Sequence, residues 1–445
     1  MRQLPLIMLA ISLGTSCGSG IATSDSLLNS TLEPVPTSAE SPNFGPSDTT
    51  QINTPSATTA TTTTPPTTTT PGPTTAPTTT AKAPTATPFT TTKPQASASD
   101  CYLTGSRSAL TLAHERPTDR LYSTGNIDVV VLFTDFQDVS ATQSTQSIFS
   151  IISPGGENFL EDQSNERLQL SFRPHHQWLR LGSSASTYAE AIKTYDGHRK
   201  FMQEAIDLAD AEVNFLGAEA VLVVATPNAT EIRYGPTWMG VPSSPLQADG
   251  QIMTNGITSG ADLTYWKHLW YPHEFGHSLG LPDLYGANIP GRGGWTRPFS
   301  LMDDISSSAP GYMGYSRWVL KWIDDSQVRC VTANATVALT PLATPTGAKL
   351  VVVPLTSTSA LVAEVRRATG YDAELQREGV IVYVVDTNNR GRNGGSYGDG
   401  PIEVLNNARS LGEGESLTHF GVSFEVLESQ STQDLIRITF NDTDD

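Results

Sequence analysis

Apolar and polar positions follow different patterns in the two halves of the region after residue 100. In the first half, unbroken or alternating apolar runs predict β-strands at 127–133, 168–172 and 220–225. Apolar residues at helical spacing predict α-helices over 144–152 and 188–211. Strands that alternate with helices in this way are typical of an α/β fold.

Beyond residue 325 the pattern changes to short apolar strands separated by turn residues. The predicted strands cover 337–339, 350–353, 360–365, 380–385, 422–426 and 435–440. This pattern indicates an all-β region, which we expect to be a sandwich or a small barrel. We therefore predict two folded domains, 101–325 and 326–445.

Composition explains why the first hundred residues contribute no such pattern. Residues 51–100 contain 21 threonines and 9 prolines and almost no aromatic side chains. Such a segment cannot bury enough apolar surface to offset its ordering entropy. We expect residues 18–100 to be a disordered Thr/Pro-rich linker. It acts either as a stalk that holds the folded region away from a surface or as a tail without that role.

The N-terminus has the pattern of an export signal. Arg2 precedes a largely apolar run over 4–13, which is too short to span a bilayer. Small residues then lead to Cys17, and this order resembles a bacterial lipoprotein signal, in which the cysteine becomes the lipidated N-terminus. Gly14 departs from that pattern, because an aliphatic residue is usual there. We expect a lipoprotein-type signal over 1–17 and a cell-surface lipoprotein; the alternatives are an extracellular protein without the lipid and a retained anchor.

Two further cysteines are available for a disulfide. The chain has three cysteines, and if Cys17 is lipidated, Cys101 and Cys330 remain. Disulfides persist in exported proteins, so these two are expected to pair. The alternative is two buried free thiols, because the Cα separation that decides between them is a property of the fold.

Charge restricts the partners that the chain can bind. It carries 27 basic and 45 acidic side chains, for a formal net charge of −18. Such a field repels a phosphate backbone, which excludes nucleic acid as the main partner. No stretch approaches the roughly 18 apolar residues that a transmembrane helix needs, so membrane contact is expected only through the N-terminal lipid. We expect the folded protein to be a monomer.

The strongest chemical signal is a short helical motif with two histidines. His273 and His277 are four residues apart, so on a helix their side chains lie on one face. This spacing lets two imidazoles bind one Zn²⁺ ion. Glu274 projects beside them, where a carboxylate can take a proton from a zinc-bound water. The alternatives are a structural histidine pair and a glutamate on an ordinary helix surface.

The residues after this motif supply a bend and a candidate oxygen ligand. Gly280 can adopt the left-handed conformation that ends a helix, and Pro282 prevents the helix from resuming. Asp283 then has the position to return to the metal as a carboxylate ligand, although it could instead cap a following turn. The complete string, His-Glu-x-x-His-x-x-Gly-x-x-Asp, is far more specific than its first five residues.

With this string the chain resembles a known family. The segment HEFGHSLGLPDLY over 273–285 is very similar to the zinc site of the immune-inhibitor-A-like metallopeptidases, secreted bacterial enzymes related to the metzincins. Segments that resemble other parts of that family lie at 128–138, 159–172, 299–302 and 362–386. The likeness covers most of residues 125–440, and the zinc segment alone has the specificity of a motif.

The resemblance implies an α/β, metzincin-like zinc peptidase domain followed by the all-β, sandwich-like domain. It implies His273, His277 and Asp283 as ligands of one catalytic zinc ion and Glu274 as general base and acid. It also implies Met302 as the Met-turn residue, packed beneath the imidazoles without binding the metal.

Two positions depart from the family pattern. The family often has an aspartate where Ser278 and Gly286 stand in this chain. Loss of a carboxylate at 278 removes a group that would orient a ligand, and this weakens metal binding. These departures motivate an alternative function, a catalytically impaired surface binding or adhesion protein that retains the peptidase fold.

The implied reaction is hydrolysis of peptide bonds in a protein or peptide substrate. The substrate is expected to lie extended along a sheet edge. The reaction also needs a donor to the oxyanion, and Tyr285, Tyr312 and Tyr315 are candidates among which the sequence does not choose.

Other candidate ligands receive a structural interpretation. His268 is expected to be an exposed helix residue, and His175 and His176 a loop pair. The loop between Asp386 and Asp399 could hold Ca²⁺ through those two carboxylates. A plain mobile loop is favoured there, because its carboxylates are few.

Overall fold

The computed structural model describes residues 96–105, 108–285, 296–389 and 400–441. Its strands, in chain order, are β1 (Gly125–Asp135), β2 (Leu168–Arg180), β3 (Ala220–Ala225), β4 (Thr237–Met239), β5 (Leu246–Ala248), β6 (Gln251–Met253), β7 (Asn255–Thr258), β8 (Val328–Cys330), β9 (Ala335–Leu339), β10 (Leu350–Pro354), β11 (Ser359–Arg366), β12 (Gly379–Asp386), β13 (Ile402–Val404), β14 (Ser416–His419), β15 (Val422–Gln430) and β16 (Gln433–Phe440). Its helices are α1 (Thr145–Ile152), α2 (Gly155–Gln163), α3 (Ala185–Ala191), α4 (Tyr195–Ala209), α5 (Asp262–Trp266), α6 (Trp270–Ser278) and α7 (Gly314–Val319). Short 3-10 turns cover Ala98–Cys101, Lys267–Leu269, Asp325–Gln327 and Gly370–Asp372, and Leu405–Ala408 forms a turn in which three residues have positive φ.

A five-stranded sheet is the frame of the first region. Its order is β2-β1-β3-β7-β4; the first four strands run parallel, and the edge strand β4 is antiparallel to β7. Alternate residues of β1 face opposite sides, so Val129 and Val131 join one apolar cluster and Val130 and Leu132 another. The first cluster includes residues of α6 and the second includes residues of α4, so helices cover both faces of the sheet.

The strand predictions of this region agree with the structure. The strand predicted at 127–133 lies within β1, and that at 220–225 is β3. The strand predicted at 168–172 is the first part of the longer β2. Continuous apolar runs identified β1 and β3, because parallel strands covered on both faces bury nearly every side chain. Alternation identified β2, which is mostly exposed or partly buried.

Helices were harder to delimit from the sequence. The helix predicted over 144–152 is confirmed as α1, but the single helix predicted over 188–211 is wrong. It divides into α3 and α4, because the Thr194 hydroxyl accepts from the Gly197 N–H and caps a new helix. Helix α2, which no periodicity indicated, begins at Gly155.

The histidine pair at 175 and 176 lies in β2, so the loop predicted for it is wrong. The ring of His176 stacks on that of Phe133, with 5.5 Å between ring centroids. His175 Nε2 lies 3.7 Å from a carboxylate oxygen of Glu212. The pair belongs to a strand whose residues after Leu168 are all exposed or partly buried.

Two sheets make up the second region. One has the order β13-β12-β11-β10-β8, and the other has the antiparallel order β14-β15-β16-β9. A single apolar cluster draws residues from both sheets, including Val351 and Leu361 on one and Phe424 and Ile436 on the other. Two sheets around one apolar cluster form a sandwich. Each of the six strands predicted here lies within a longer one, and the structure adds the short β8, β13 and β14.

Shared packing connects the two regions. One apolar cluster includes Phe275 of α6 and Val352 of β10. A disulfide joins Cys101, ahead of β1, to Cys330 of β8, with 5.6 Å between the Cα atoms. All described residues belong to one compact unit, Ala81–Asp445. The division into two domains stays a prediction, and its boundary falls in a 3-10 turn.

The N-terminal predictions concern residues that the structure does not describe. The signal over 1–17, with Cys17, and the linker as far as residue 95 lie outside the described ranges. Within those ranges, no helix has the length and apolarity that crossing a membrane requires.

Candidate metal centre

Helix α6 carries both motif histidines. Pro272 is its third residue, where no backbone N–H is needed, and the helix continues to Ser278. His273 and His277 are one turn apart, with 5.2 Å between their ring centroids. Their side chains are nearly buried, since the two residues are 6 % and 8 % exposed. The helix therefore presents two imidazoles to one interior point.

A glycine turn brings Asp283 back to that point. Gly280 has a φ of +93°, the left-handed conformation that the sequence predicted. Its N–H donates to the His277 carbonyl, and the Leu281 N–H donates to the Gly276 carbonyl, which ends the helix as a Schellman motif. The chain then reverses, so that the Asp283 carboxylate, in a residue only 5 % exposed, faces the two imidazoles.

These three side chains, here called the metal centre, form a compact set of ligand atoms. Asp283 Oδ1 lies 3.4 Å from His273 Nε2 and 3.3 Å from His277 Nε2. One ligand atom from each residue lies within 4.8 Å of the other two. In a tetrahedral zinc site with bonds of about 2.0–2.1 Å, ligand atoms are about 3.3 Å apart. The two separations therefore match edges of such a tetrahedron.

Backbone carbonyl groups fix the orientation of both rings. His273 Nδ1 lies 2.9 Å from the Leu301 oxygen, and His277 Nδ1 lies 2.8 Å from the Leu281 oxygen. Because a carbonyl oxygen can only accept, each Nδ1 carries a proton and each Nε2 faces Asp283. Three acceptor atoms that converge in a buried site repel one another unless a cation lies among them. The arrangement could hold a metal ion or, in its place, a proton.

The pKa values of His277 and Asp283 also indicate that the metal centre favours a positive charge. Burial by itself lowers the pKa of His277, but the Asp283 carboxylate acts in the opposite direction and the result is a pKa of about 9. Burial also opposes charge on Asp283, but the two imidazoles hold the pKa of its carboxyl well below the usual range. The carboxylate is therefore ionised, and the site attracts a cation.

Glu274 lies on the same helix and reaches the edge strand of the first sheet. Its Oε2 lies 2.9 Å from the Thr237 nitrogen, which donates to it, and 2.9 Å from the Thr237 hydroxyl. Because Thr237 is the first residue of β4, this contact joins the metal helix to the sheet edge. Glu274 Oε1 accepts no hydrogen bond from the residues that the structure describes, so it can contact water or substrate.

Met302 packs against the metal helix between the two histidines. The residue is 1 % exposed. A Cβ at Gly276 would lie 2.7 Å from the Met302 sulfur, so this approach requires glycine. The Met302 carbonyl accepts from the Leu284 N–H, one residue after Asp283. Met302 thus contacts both the ligand helix and the ligand loop, and its role as the Met-turn residue stays a prediction.

Three residues around the metal centre gave no signal in the sequence. Thr237 holds the Glu274 carboxylate, and Leu301 supplies a carbonyl to an imidazole. Arg116 donates to the Leu279 carbonyl and so caps the C-terminal end of α6. All three come from segments far from the motif along the chain, and folding alone brings them to it.

The structure separates the three tyrosine candidates for the oxyanion. The Tyr312 hydroxyl donates to the Pro272 carbonyl at 2.6 Å, and the Tyr315 hydroxyl lies 3.4 Å from His114 Nδ1. Both tyrosines are fully buried. Neither hydroxyl is open to a substrate, so these two candidates are wrong. Tyr285 is only partly buried and is the remaining candidate.

The other candidate ligands lie away from the metal centre or outside the described residues. His268 is partly buried in a 3-10 turn, and a Cβ at Gly155 would lie 2.7 Å from its Cβ and Cγ, so an exposed helix position is wrong for it. Asp386 Oδ1 accepts from the Asn388 N–H at 2.9 Å, a local turn contact. Asp399 lies outside the described ranges, and the Ca²⁺ hypothesis stays untested.

Of the two positions that depart from the family pattern, the structure describes only Ser278. Ser278 is fully buried, and its hydroxyl oxygen has no hydrogen-bond partner among the described residues. Gly286 lies outside the described ranges. Position 278 therefore offers no carboxylate to orient a ligand, in contrast to the family pattern.

Comparisons with known proteins add no assignment to this geometry. No protein-family model matches the chain, and no curated protein matches its sequence. The chemistry of the metal centre is therefore argued from its own residues.

Proposed function

We propose that the protein is a zinc-dependent metalloendopeptidase that hydrolyses peptide bonds at the metal centre. The observation that carries this proposal is the convergence of two imidazole Nε2 atoms on one carboxylate oxygen, at 3.3 and 3.4 Å, in a buried site. Two imidazoles and a carboxylate are a donor set typical of catalytic zinc, with a fourth position open to water or substrate. When bound, zinc polarises the scissile carbonyl and lowers the pKa of a bound water.

Glu274 supplies the proton transfers of this proposal. It adjoins the ligand His273 in sequence, and one of its carboxylate oxygens accepts no hydrogen bond from the described residues. Thr237 holds the other oxygen through its N–H and its hydroxyl, which limits rotation of the carboxylate. From this position Glu274 takes a proton from the attacking water and later delivers it to the leaving amine.

Strand β4 offers the substrate a backbone edge. Its pairing with β7 aligns Thr237 with Ile257 and Met239 with Asn255, and the Thr237 N–H points away from β7 toward Glu274. By the alternation of an antiparallel pair, the Met239 N–H and C=O also point to the open edge. We expect an extended peptide to add there, with its backbone beside Glu274.

The predicted export signal and linker complete the proposal. A lipoprotein-type signal over 1–17 followed by a Thr/Pro-rich linker over 18–100 would tether the enzyme at the cell surface. Without the lipid, the same enzyme would be extracellular. In either location its substrates are proteins or peptides outside the cell.

Metal analysis and one substitution test the proposed activity. The purified full-length chain should contain about one zinc ion, and a chelator should abolish cleavage of unfolded casein until zinc is restored. Glu274→Gln should lower kcat/KM at least about 100-fold with unchanged zinc content, because it removes a proton acceptor and no ligand. Glu190→Gln, which breaks an exposed ion pair with Lys193, is the matched control and should keep full activity.

Two other outcomes have separate meanings. A chain without stoichiometric zinc, or one whose cleavage is unchanged by Glu274→Gln, contradicts the proposal. Full zinc content with no cleavage across a broad peptide library, together with capture of a ligand, would indicate the catalytically impaired binding protein. The buried Ser278 hydroxyl, which has no partner among the described residues, is the observation that favours this second function.

A further inference from the structure

A cavity of about 180 Å³ lies where α2, α7 and the end of β11 meet. Arg317 of α7 and Leu342 line its buried part, and Thr369 and Gly370 at its mouth are exposed. None of its lining residues belongs to the metal centre. A cavity of this volume admits several waters or one small organic ion.

Arg317 brings to this cavity a positive charge without a direct ion pair among the described residues. The carboxylates of Glu364, Asp162 and Asp372 attract it from beyond ion-pair distance. The residue is 3 % exposed, and its Nε is buried with no hydrogen-bond acceptor. Within the described part of the chain, its guanidinium makes no ion pair and no hydrogen bond. A buried charge without a partner is strongly unfavourable, and the open cavity beside it is where a partner can enter.

Neighbouring carboxylates are already engaged. Arg366 Nε donates to Glu364 at 2.7 Å, and Arg366 Nη1 donates to Asp372 at 2.9 Å. Lys349 adds a further buried cation, whose Nζ donates to two threonine hydroxyls and one backbone carbonyl but to no carboxylate. Burial, and then the charge of Arg317, lower the pKa of Lys349 to about 7. Arg366 therefore takes up the Glu364 and Asp372 carboxylates, and Arg317 keeps no direct ion pair among the described residues.

We propose that this cavity binds a small monoanionic carboxylate, with Arg317 as the residue that recognises it. A guanidinium presents two parallel N–H groups that match the two oxygens of a carboxylate. Asp162, exposed at the mouth, and Asp372 also border the cavity, and they repel a dianion such as phosphate more strongly than a monoanion. Leu342 and Ala343 provide apolar surface for a short aliphatic tail.

The same carboxylate chemistry has two sources, a free short-chain acid and the C-terminal carboxylate of a peptide. Both present a planar anion next to one or two carbon atoms that fit against Leu342. The cavity is separate from the metal centre, so binding can be measured by stability, without any activity.

Thermal unfolding of the full-length chain tests the site. Sodium acetate at about 100 mM should raise Tm by about 3 °C over sodium chloride at the same pH and ionic strength, because the ligand binds only the native state. Arg317→Met should lose this acetate-specific shift. Arg329→Met is the matched control and should keep the shift, since the Arg329 guanidinium donates to backbone carbonyls outside the cavity.

A second variant protects the test against misfolding of Arg317→Met. Ala343 is exposed at the mouth of the cavity, so Ala343→Trp should fold, block entry and abolish the shift. N-acetylglycine compared with N-acetylglycinamide separates the sources. A shift with the acid but not the amide assigns a peptide C-terminus, and a shift with acetate alone assigns a free short acid.

Three results would overturn the assignment. The first is that acetate does not shift Tm of the wild-type chain. The second is an equal acetate shift in the wild type and in the Arg317→Met and Ala343→Trp variants. The third is a larger Tm shift with inorganic phosphate than with acetate.

Discussion

The metal centre and the cluster around Arg366 both hold buried charges, but they differ in how far their hydrogen-bond donors and acceptors are matched. Arg366 donates to Glu364 at 2.7 Å, to Asp372 at 2.9 Å and to the carbonyls of Phe299 and Tyr312 at 3.0 and 3.3 Å. Donors and acceptors in this arginine cluster are therefore matched within the protein.

At the metal centre the hydrogen bonds are arranged differently. Both Nδ1 protons are used by backbone carbonyls, so the atoms that face one another are two Nε2 acceptors and a carboxylate oxygen. The difference teaches that buried charge by itself does not identify a site. A cluster that its own residues complete serves stability, whereas a buried cluster of converging acceptor atoms is a candidate for binding a cation.

The largest effect is expected from breaking the arginine cluster. Arg366→Met leaves the buried Glu364 and Asp372 carboxylates without a partner, which should lower the free energy of unfolding by about 3–5 kcal/mol. Zinc bound per folded chain should be unchanged. Urea denaturation measures the loss, and Arg437→Met, at a half-exposed pair with Glu425, is the control with an expected loss below about 1 kcal/mol. Equal losses in the two variants would remove the contrast.

The next effect is the pH dependence of the metal-free chain. Because the folded state raises the pKa of His277 from its ordinary 6.5 to about 9, its stabilising contribution is complete below pH 6.5 and is lost as pH rises through 9. In chelator, the free energy of unfolding should fall by about 3 kcal/mol across this window.

Two controls sharpen this pH prediction. Saturating zinc should remove the decline, since the metal takes the place of the proton, and His277→Gln in chelator should flatten it. A metal-free wild-type chain whose stability is constant from pH 6.5 to 9 would contradict it. Urea denaturation at several pH values gives the comparison.

Removal of one ligand charge should separate metal binding from stability. Asp283→Asn should weaken zinc affinity at least about 100-fold, because a carboxylate ligand is replaced by a neutral amide. Above pH 9, where His277 is neutral in the wild type as well, the metal-free variant should stay within about 1 kcal/mol of the wild type, since the Asn N–H can donate to an Nε2 atom. Competition with a zinc chelator measures the affinity. Asp128→Asn, at a half-exposed pair with Arg173, should leave it unchanged.

The smallest effect concerns the packing beneath the metal helix. Gly276→Ala should cost about 1–3 kcal/mol, because the new Cβ would lie 2.7 Å from the Met302 sulfur. In a Met302→Ala background, the same substitution should be neutral or stabilising, since the space is free and alanine favours a helix. A double-mutant cycle by urea denaturation tests this, and additive losses would show that the two residues do not interact.

Much of the fold could be predicted where a single element contains its own signal. Apolar runs identified β1, β3, β10, β11 and β12, because residues buried on both faces of a sheet leave an almost unbroken apolar pattern. Alternation identified β9, β15 and β16, which bury one face. The break before α4 was missed, since it depends on one threonine cap. Tyr312 and Tyr315 were two of three candidate donors to the oxyanion, but both are buried in the core.

By itself, the sequence determined the ligand set of the candidate centre. Two histidines one turn apart and an aspartate after a left-handed glycine are brought together by contacts within eleven residues, and short-range spacing encodes such contacts. The tertiary structure alone decided which atoms surround them. Thr237 on Glu274 and Leu301 on His273 each depend on segments distant in sequence, whose meeting follows from the packing of whole sheets and helices rather than from any local pattern.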